Sequence, residues 1–294
     1  MKKIFFALPG NDELATLLAE KCHAELGKAI IRQFPDGETY VKIESDVKDK
    51  QVILICTLNH PNEKLLSLYY LSQTAKELGA KSICIVAPYL AYMRQDKRFL
   101  AGEGITSVYF AKLISSFADS LITIDPHLHR RSSLSEIYAI PTTVIHAAVL
   151  ISKWIRGNIE KPLLVGPDIE SEQWVSEVAH HADAPFIILK KIRRGDEEVE
   201  ISVPDVEKYK EYTPVLVDDI ISTARTMIET IGHLKKAGMK KPVCIGIHGI
   251  FANNAYSDLF FAGADKVITC NTIPHESNRI KIDEIISISI NRTK

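Results

Sequence analysis

The sequence predicts an α/β chain of mostly parallel sheets, divided into two domains. Three observations carry this. Short apolar runs alternate with helical patterns along nearly the whole length. Most of those runs are continuous rather than alternating, as strands covered by helices on both faces would be. The chain has 294 residues, 46% hydrophobic and 25% charged, which suffices for two ordinary cores.

Taken in order, "MKKIFFALPG" starts with two lysines and a short apolar run that stops at Pro9-Gly10. It lacks a small-residue cleavage site and reads as a strand over 3–8, not a signal peptide. Asn11 opens an acidic first turn before Leu14, Leu17 and Leu18, predicting a helix over 12–26. Strands follow at 39–44 and 51–55. Asn62 and Glu63 then precede an apolar stripe (Leu65, Leu66, Leu68, Tyr69, Leu71), predicting a helix over 62–78 that stops at Gly79. Further strands are expected at 82–87, 120–124, 142–145, 162–165, 185–189, 198–203, 214–217, 243–248, 266–269 and 285–288. Helices are expected at 105–117, 147–156, 171–181, 224–238 and 254–262. "LKKAGMKK" gives the helix at 224–238 a cationic last turn and a stop at Gly238. The two segments ending at Gly79 and Gly238 share one grammar: helix, glycine, lysine, apolar strand. That points weakly to a duplicated α/β unit. The domain boundary is placed at "IPTTVIH", giving domains 1–143 and 144–294, with the last strand packing back on the first domain.

The formal net charge is −1, so no global positive field exists to hold nucleic acid, and no nucleic-acid partner is expected. No apolar run approaches the roughly 20 residues of a membrane span, so no membrane association is expected either. The five cysteines stand singly, with no CxxC pair, and four lie in apolar runs. Buried reduced thiols in a cytoplasmic protein are expected.

The segment most suggestive of chemistry is "VLVDDIISTARTM", residues 215–227. Asp218 and Asp219 stand at the carboxyl end of an apolar strand, where open α/β sheets bind ligands. Ser222, Thr223 and Thr226 follow at a helix start, where hydroxyls and backbone N–H groups suit a phosphate. A sugar phosphate reconciles the two, its diol toward the acids and its phosphate toward the loop. The plainer alternative is an acidic cap with Asp219 or Ser222 as the N-cap.

This segment resembles the phosphoribosyl-binding signature shared by phosphoribosyltransferases and ribose-phosphate pyrophosphokinases. "RQFPDGETYVKI" (32–43), "PYLAYMRQDKR" (88–98), "TIDPHLH" (123–129), "GPD" (166–168), "HGIF" (248–251) and "NTIP" (271–274) all resemble the pyrophosphokinase family, in its order. The resemblance implies two tandem phosphoribosyltransferase-like (type I) domains, ATP on the first and ribose 5-phosphate on the second. It implies that Phe34, Asp36 and Glu38, on a loop reaching a neighbouring subunit, contact ATP together with Arg94 and Gln95. It makes His127 and Asp168 the protein contacts to Mg²⁺, with His127 also catalytic. It assigns Lys191 and Arg193 to a catalytic loop, Lys190 or Arg194 being the alternatives if the register slips. Asp218, Asp219, Ser222, Thr223 and Thr226 would bind ribose 5-phosphate. A homo-oligomer, a dimer or a multiple of dimers, is implied by the shared ATP site.

Each motif also has a local reading. "FPDGE" is a turn sequence suited to a hairpin tip. "YMRQDKR" is a charged loop, and an arginine fork suits polyphosphate. Asp125, His127 and His129 could be read as a transition-metal site, though no HxxxH pair accompanies them. "LKKIRRGDEEVEI" reads as a solvated hairpin. The sequence also departs from the family: Thr223-Ala224-Arg225-Thr226 lacks the usual loop glycines, "FLAGEGITS" is short, and "GPDIESEQ" lacks a glycine-rich continuation. The expected reaction is diphosphoryl transfer from ATP to ribose 5-phosphate, giving phosphoribosyl pyrophosphate and AMP. The competing readings are a phosphoribosyltransferase and a catalytically weak regulatory homologue.

Overall fold

The computed structural model describes residues 1–128, 130–167, 171–194, 198–202 and 207–292. Among these the chain divides into two units. Unit 1 runs from Met1 to Ile145 and includes the chain from Asp283 on; unit 2 is His146–Ile282.

Unit 1 comprises β1 (Lys3–Ala7), α1 (Asp12–Lys21), β2 (Glu25–Leu26), β3 (Ala29–Gln33), β4 (Thr39–Ile43), β5 (Gln51–Ile55), α2 (Pro61–Glu77), β6 (Ser82–Ala87), α3 (Thr106–Phe117), β7 (Ser120–Ile124) and β8 (Thr142–Ile145). Unit 2 comprises α4 (Ala148–Asn158), β9 (Pro162–Gly166), α5 (Glu172–Ala182), β10 (Phe186–Ile188), β11 (Lys190–Arg194), β12 (Glu198–Ser202), β13 (Thr213–Ile221), α6 (Arg225–Lys236), β14 (Val243–Gly249), α7 (Ala255–Ala262), β15 (Lys266–Cys270) and β16 (Asn278–Ile280). The last helix, α8 (Asp283–Arg292), is grouped with unit 1.

The sheets run β2-β1-β5-β6-β7-β8 and β10-β9-β13-β14-β15-β16, and every adjacent pair in them is parallel. Each unit also carries an antiparallel hairpin, β3-β4 or β11-β12, between its second strand and its central one. The plan is therefore duplicated, strand for strand. β5 and β14 are buried along their whole length, which is why their sequences read as continuous apolar runs.

The closing strand expected at 285–288 is instead helix α8. "IISISI" alternates like a strand, but the buried residues are Asp283, Ile286, Ser287 and Ile290, a helical stripe of i, i+3, i+4 and i+7. Asp283 and Glu284 in the first turn and Arg292 in the last favour that helix electrostatically. It lies on α1 and beside β7 and β8. Lys3 Nζ donates to the Ile290 carbonyl at 2.9 Å, and Lys21 pairs with Asp283 at 3.3 Å. Helix α4 has the same pattern in unit 2, burying Ala148, Ile151, Ser152 and Ile155 and lying on α5. Both helices read Ile-Ser-x-x-Ile, and each follows the last strand of one repeat while completing the core of the other.

Other corrections are local. α1 ends at Lys21, five residues before the expected stop, because the short β2 pairs with β1. β3, β11 and β16 were not expected. All five cysteines are free, with Cys22 half-buried and the others buried. Burial pushes the Cys56 and Cys244 thiols up to about 12, which leaves them unreactive near neutral pH.

The helical stripe makes a prediction that a strand would reverse, since a strand would set Ile286, Ile288 and Ile290 on one face. Ile286→Ala should lower unfolding free energy by about 3 kcal/mol. Ile288→Ala, at a position 44% exposed, should cost under about 0.5 kcal/mol. Urea denaturation measures both, and equal losses would count against the helix.

Candidate active site

Among the described residues, most of the polar residues singled out by sequence lie at or just beyond the carboxyl ends of sheet strands, while Phe34, Asp36 and Glu38 lie on a hairpin tip. In unit 2, β13 runs to Ile221, four residues past the expected end. Asp218 and Asp219 thus lie within the strand. Asp218 pairs with Gly246 of β14, and the ladder continues through Ile220 with His248 and Ile221 with Gly249. Both acids are half-buried, and the Asp218 carboxylate accepts the Asp219 N–H at 2.9 Å.

The strand then stops against the loop after β14. Ile250 and Phe251 both donate their N–H groups to the Ile221 carbonyl at 3.0 Å, and Ala252 N–H reaches the Ser222 carbonyl at 3.0 Å. Two glycines permit this closeness. A Cβ on Gly246 would come within 2.6 Å of Ile221 Cγ1, and one on Gly249 within 2.6 Å of Phe251 Cε2. Ser222 is half-buried, and Thr223 and Thr226 are exposed at the start of α6. The N-cap of α6 is Ala224, not Asp219 or Ser222, so the capping alternative does not hold. Ala224 adopts φ +56°, the left-handed conformation that a glycine would take without strain. The loop keeps its turn although its glycines are gone.

On the neighbouring strands, His248 is buried. Its Nδ1 stands 2.9 Å from Thr272 Oγ1, which donates to the Ile247 carbonyl at 2.9 Å. This ties the "HGIF" and "NTIP" segments together.

The same edge of unit 1 is built differently. The counterpart loop after β5 reads Cys56-Thr57-Leu58-Asn59-His60 and contains no acid. Its helix also starts from a left-handed residue, His60 at φ +51°. Lys64 folds back to donate to the Thr57 carbonyl at 2.9 Å and to Asn59 Oδ1 at 2.5 Å, and burial lowers its pKa. Asn11 does not cap α1 with its side chain; its Oδ1 accepts the Thr57 N–H at 2.9 Å, joining the β1 and β5 loops.

The expected ATP contacts of unit 1 fall in two places. Phe34, Asp36 and Glu38 lie on the exposed tip of the β3-β4 hairpin. That tip is closed by Phe34 N–H to the Glu38 carbonyl at 2.7 Å, Gly37 at φ +91° and Glu38 N–H to Asp36 Oδ1 at 3.2 Å. The Arg32 guanidinium lies over the rings of Phe34 and Tyr40, at 4.8 and 4.3 Å. Arg94 and Gln95 lie in the loop after β6, where Gln95 is held by the Ser107 N–H and the Thr106 hydroxyl at the start of α3. His127 lies half-buried after β7, beside Asp125, which is buried and at φ +33°.

Sequence reasoning missed the group that joins these last two loops. Asp96, whose side chain is 3% exposed, accepts from Arg130 Nη1 at 3.2 Å, and its carbonyl accepts from Arg131 Nη2 at 3.2 Å.

Asp168 and His129 lie outside the described residues. Lys191 and Arg193 are described only as backbone, in β11, in register with Ile201 and Val199 of β12. Among the described residues no group of three or more His, Cys, Asp or Glu side chains stands ready to hold a metal. No helix among the described residues is long and apolar enough to cross a membrane.

The duplicated parallel sheets, with an acid pair and a hydroxyl-rich helix start on one of them, define a phosphoribosyl-binding α/β enzyme. Residues 3–117 match the N-terminal domain of ribose phosphate pyrophosphokinase, and residues 133–284 match the phosphoribosyl transferase domain. The chain belongs to the ribose-phosphate pyrophosphokinase family. It is 32% identical to a ribose-phosphate pyrophosphokinase of Methanobrevibacter smithii over 94% of this chain and 96% of that one. It is 29% identical to that of Thermoplasma acidophilum over 95% of each. The crystal structure of a phosphoribosylpyrophosphate synthetase from Mycobacterium smegmatis superposes with a TM-score of 0.85 at 25% identity, covering 99% of this chain and 98% of that one.

The left-handed Ala224 sets a test of the loop. Ala224→Gly relieves about 1–2 kcal/mol of backbone strain while raising unfolded-state entropy by about 0.4–1 kcal/mol. It should therefore be neutral to slightly stabilising. Ala224→Val, β-branched at a buried left-handed position, should lose about 2 kcal/mol or more. Thermal denaturation with and without ribose 5-phosphate reads both, and a Val variant as stable as the parent would contradict the turn.

Proposed function

We propose that this chain transfers the β,γ-diphosphoryl group of ATP to the 1-hydroxyl of ribose 5-phosphate, giving phosphoribosyl pyrophosphate and AMP. The observation that carries this reading is the sequence of features along β13 and α6. Two half-buried carboxylates precede a left-handed turn, and hydroxyls then ring a helix start. A phosphoribosyltransferase would need only one such unit. Asp218 and Asp219 would hold the pentose 2- and 3-hydroxyls, and Ser222, Thr223, Thr226 and the loop N–H groups would hold the 5-phosphate.

The 1-hydroxyl oxygen forms a bond to the β-phosphorus as the bond from that phosphorus to the α-phosphate oxygen breaks. The hydroxyl proton is lost and AMP leaves in line. Such transfers depend on positioning and on charge stabilisation. Arg94 and Gln95 would hold the nucleotide, and Phe34, Asp36 and Glu38 would do so from the hairpin of a second copy in a homo-oligomer. Phe34 is 39% exposed on a hairpin tip, which suits a stacking role across subunits. His127 and Asp168 are the protein groups proposed to hold Mg²⁺, which when bound neutralises charge on the polyphosphate. Lys191 and Arg193 would close on the charge developing between the two phosphates. Magnesium-ATP supply and the reduced thiols suit a cytoplasmic enzyme.

The decisive assay follows AMP over time with purified chain, Mg²⁺, ATP and ribose 5-phosphate. AMP formation that requires ribose 5-phosphate is expected. Its absence would leave the regulatory homologue as the better reading. Asp218→Asn/Asp219→Asn should weaken ribose 5-phosphate by roughly 100-fold, two charge-assisted contacts being weakened. Lys191→Ala should lose roughly 10²–10³ in turnover while binding ribose 5-phosphate as the parent does. A near-normal single-turnover rate in that variant would remove Lys191 from the mechanism.

A further inference from the structure

The loop after β6 and the loop after β7 are clasped by one ion pair at a buried carboxylate. Asp96 follows Gln95 directly, and its side chain is 3% exposed while that of Arg130 is 47% exposed. Arg130 Nη1 reaches both Asp96 oxygens, at 3.2 and 3.4 Å. Arg131, 15% exposed, donates to the Asp96 carbonyl at 3.2 Å and approaches Glu136 at 3.8 Å. Two adjacent arginines thus hold one residue, by its carboxylate and by its backbone. The pair is also packed from outside. The Arg130 guanidinium lies 5.4 Å from the Phe99 ring centroid and Lys97 Nζ lies 5.1 Å from it. Glu103 fixes that ring by accepting the Phe99 and Leu100 N–H groups at 2.8 and 3.0 Å.

A carboxylate this buried would be expensive to leave unpaired, so the contact is strongly held. Such a pair adds little stability by comparison with apolar packing, so its main consequence is geometric. Arg94 and Gln95 stand on one side of Asp96 in sequence, and His127 stands three residues before Arg130. Fixing Asp96 to Arg130 and Arg131 therefore fixes the spacing of the groups proposed to meet the polyphosphate.

We infer that Asp96 and Arg130 form a positioning clasp that sets the register of the two ATP-binding loops, and so governs ATP affinity separately from ribose 5-phosphate affinity. This rests on the proposed nucleotide role of Arg94 and His127. Asp96 and Arg130 are positioning residues that act through those neighbours.

The test compares the parent with Asp96→Asn, Arg130→Ala, Arg130→Lys and the Asp96→Asn/Arg130→Ala pair. Each is assayed for KM and kcat with each substrate varied in turn, and for ribose 5-phosphate Kd by calorimetry. Arg130 is exposed on its outer side, so its truncation does not open the core. The KM for Mg²⁺-ATP should rise about tenfold in Asp96→Asn and in Arg130→Ala, as expected when one partner of a largely desolvated charge pair is lost. It should rise no further in the double variant, because both changes break the same contact. Arg130→Lys should recover part of the loss, and ribose 5-phosphate Kd should stay within twofold.

An unchanged ATP KM in both single variants, additive effects in the pair, or parallel weakening of both substrates would overturn the clasp. Arg94→Ala separates the two levels. If it raises the ATP KM while the clasp variants do not, only the clasp fails. If Arg94→Ala leaves ATP unaffected, the nucleotide assignment itself fails and the clasp falls with it.

Discussion

A parallel sheet buried on both faces leaves polar chemistry only one outlet, the ends of its strands. β5 and β14 are covered along their entire length, so no charged side chain can emerge from their middles. The constraint explains why the acid pair, Arg94, Gln95 and His127 lie toward or beyond the carboxyl ends of strands. Four of the non-glycine residues with positive φ, Tyr92, Asp125, Ala224 and Phe251, lie in loops that follow strands. The chain must turn sharply there to enter the next helix while holding side chains over the sheet edge.

Duplication of the plan shows how few side chains distinguish the two strand-end loops of equivalent position. Both units have the same strand order, a hairpin at the same point and a helix launched from a left-handed residue. In unit 2 the launching loop is preceded by two carboxylates and lined by hydroxyls. In unit 1 the corresponding loop has no carboxylate and a single hydroxyl, that of Thr57, and the Lys64 ammonium donates to the Thr57 carbonyl and to Asn59 Oδ1. The placement of α8 then makes the core of unit 1 dependent on the far end of the sequence, where Ile286 and Ile290 are buried, whereas unit 2 is contiguous from α4 to β16.

The fold class was legible because buried parallel strands and amphipathic helices leave different periods in the sequence. The identities of the acid pair and the hydroxyl loop were legible because they are contiguous, and a single strand–loop–helix positions them all. What could not be read was of three kinds. Helix α8 was hidden because Ile-Ser-Ile-Ser fits period two as well as period 3.6, although Asp283 and Glu284 at its start carried the signal that settles it. The strand β3, "AIIRQ", has no fully buried face to produce a pattern, and β11, "KKIRR", is too charged to read as a strand, so pairing partners alone define them. The Asp96–Arg130 pair spans 34 residues and depends on the adjacency of β6 and β7, so no local reading of "RQDKR" could disclose it.

On the proposed assignment, an acid pair and a phosphate-binding loop are compatible only when one ligand engages both. Two unit charges ~5 Å apart at an effective dielectric of 20 repel by about 3 kcal/mol. A phosphate alone would therefore bind poorly beside Asp218 and Asp219. A pentose phosphate changes the balance, because its hydroxyls each offer the carboxylates a charge-assisted hydrogen bond of about 1.5–3 kcal/mol. Two such bonds offset the repulsion only when diol and phosphate sit on one molecule at the correct separation. Free phosphate collects the penalty without the compensation, and a neutral sugar forgoes the loop. The exposed Arg225 at the helix start adds a positive charge to the phosphate side, where two glycines would have added none. On the proposed assignment the acid pair would act as a filter against free phosphate, with the left-handed Ala224 shaping the loop and the ladder from β13 to Gly246 and Gly249 holding the acids in place.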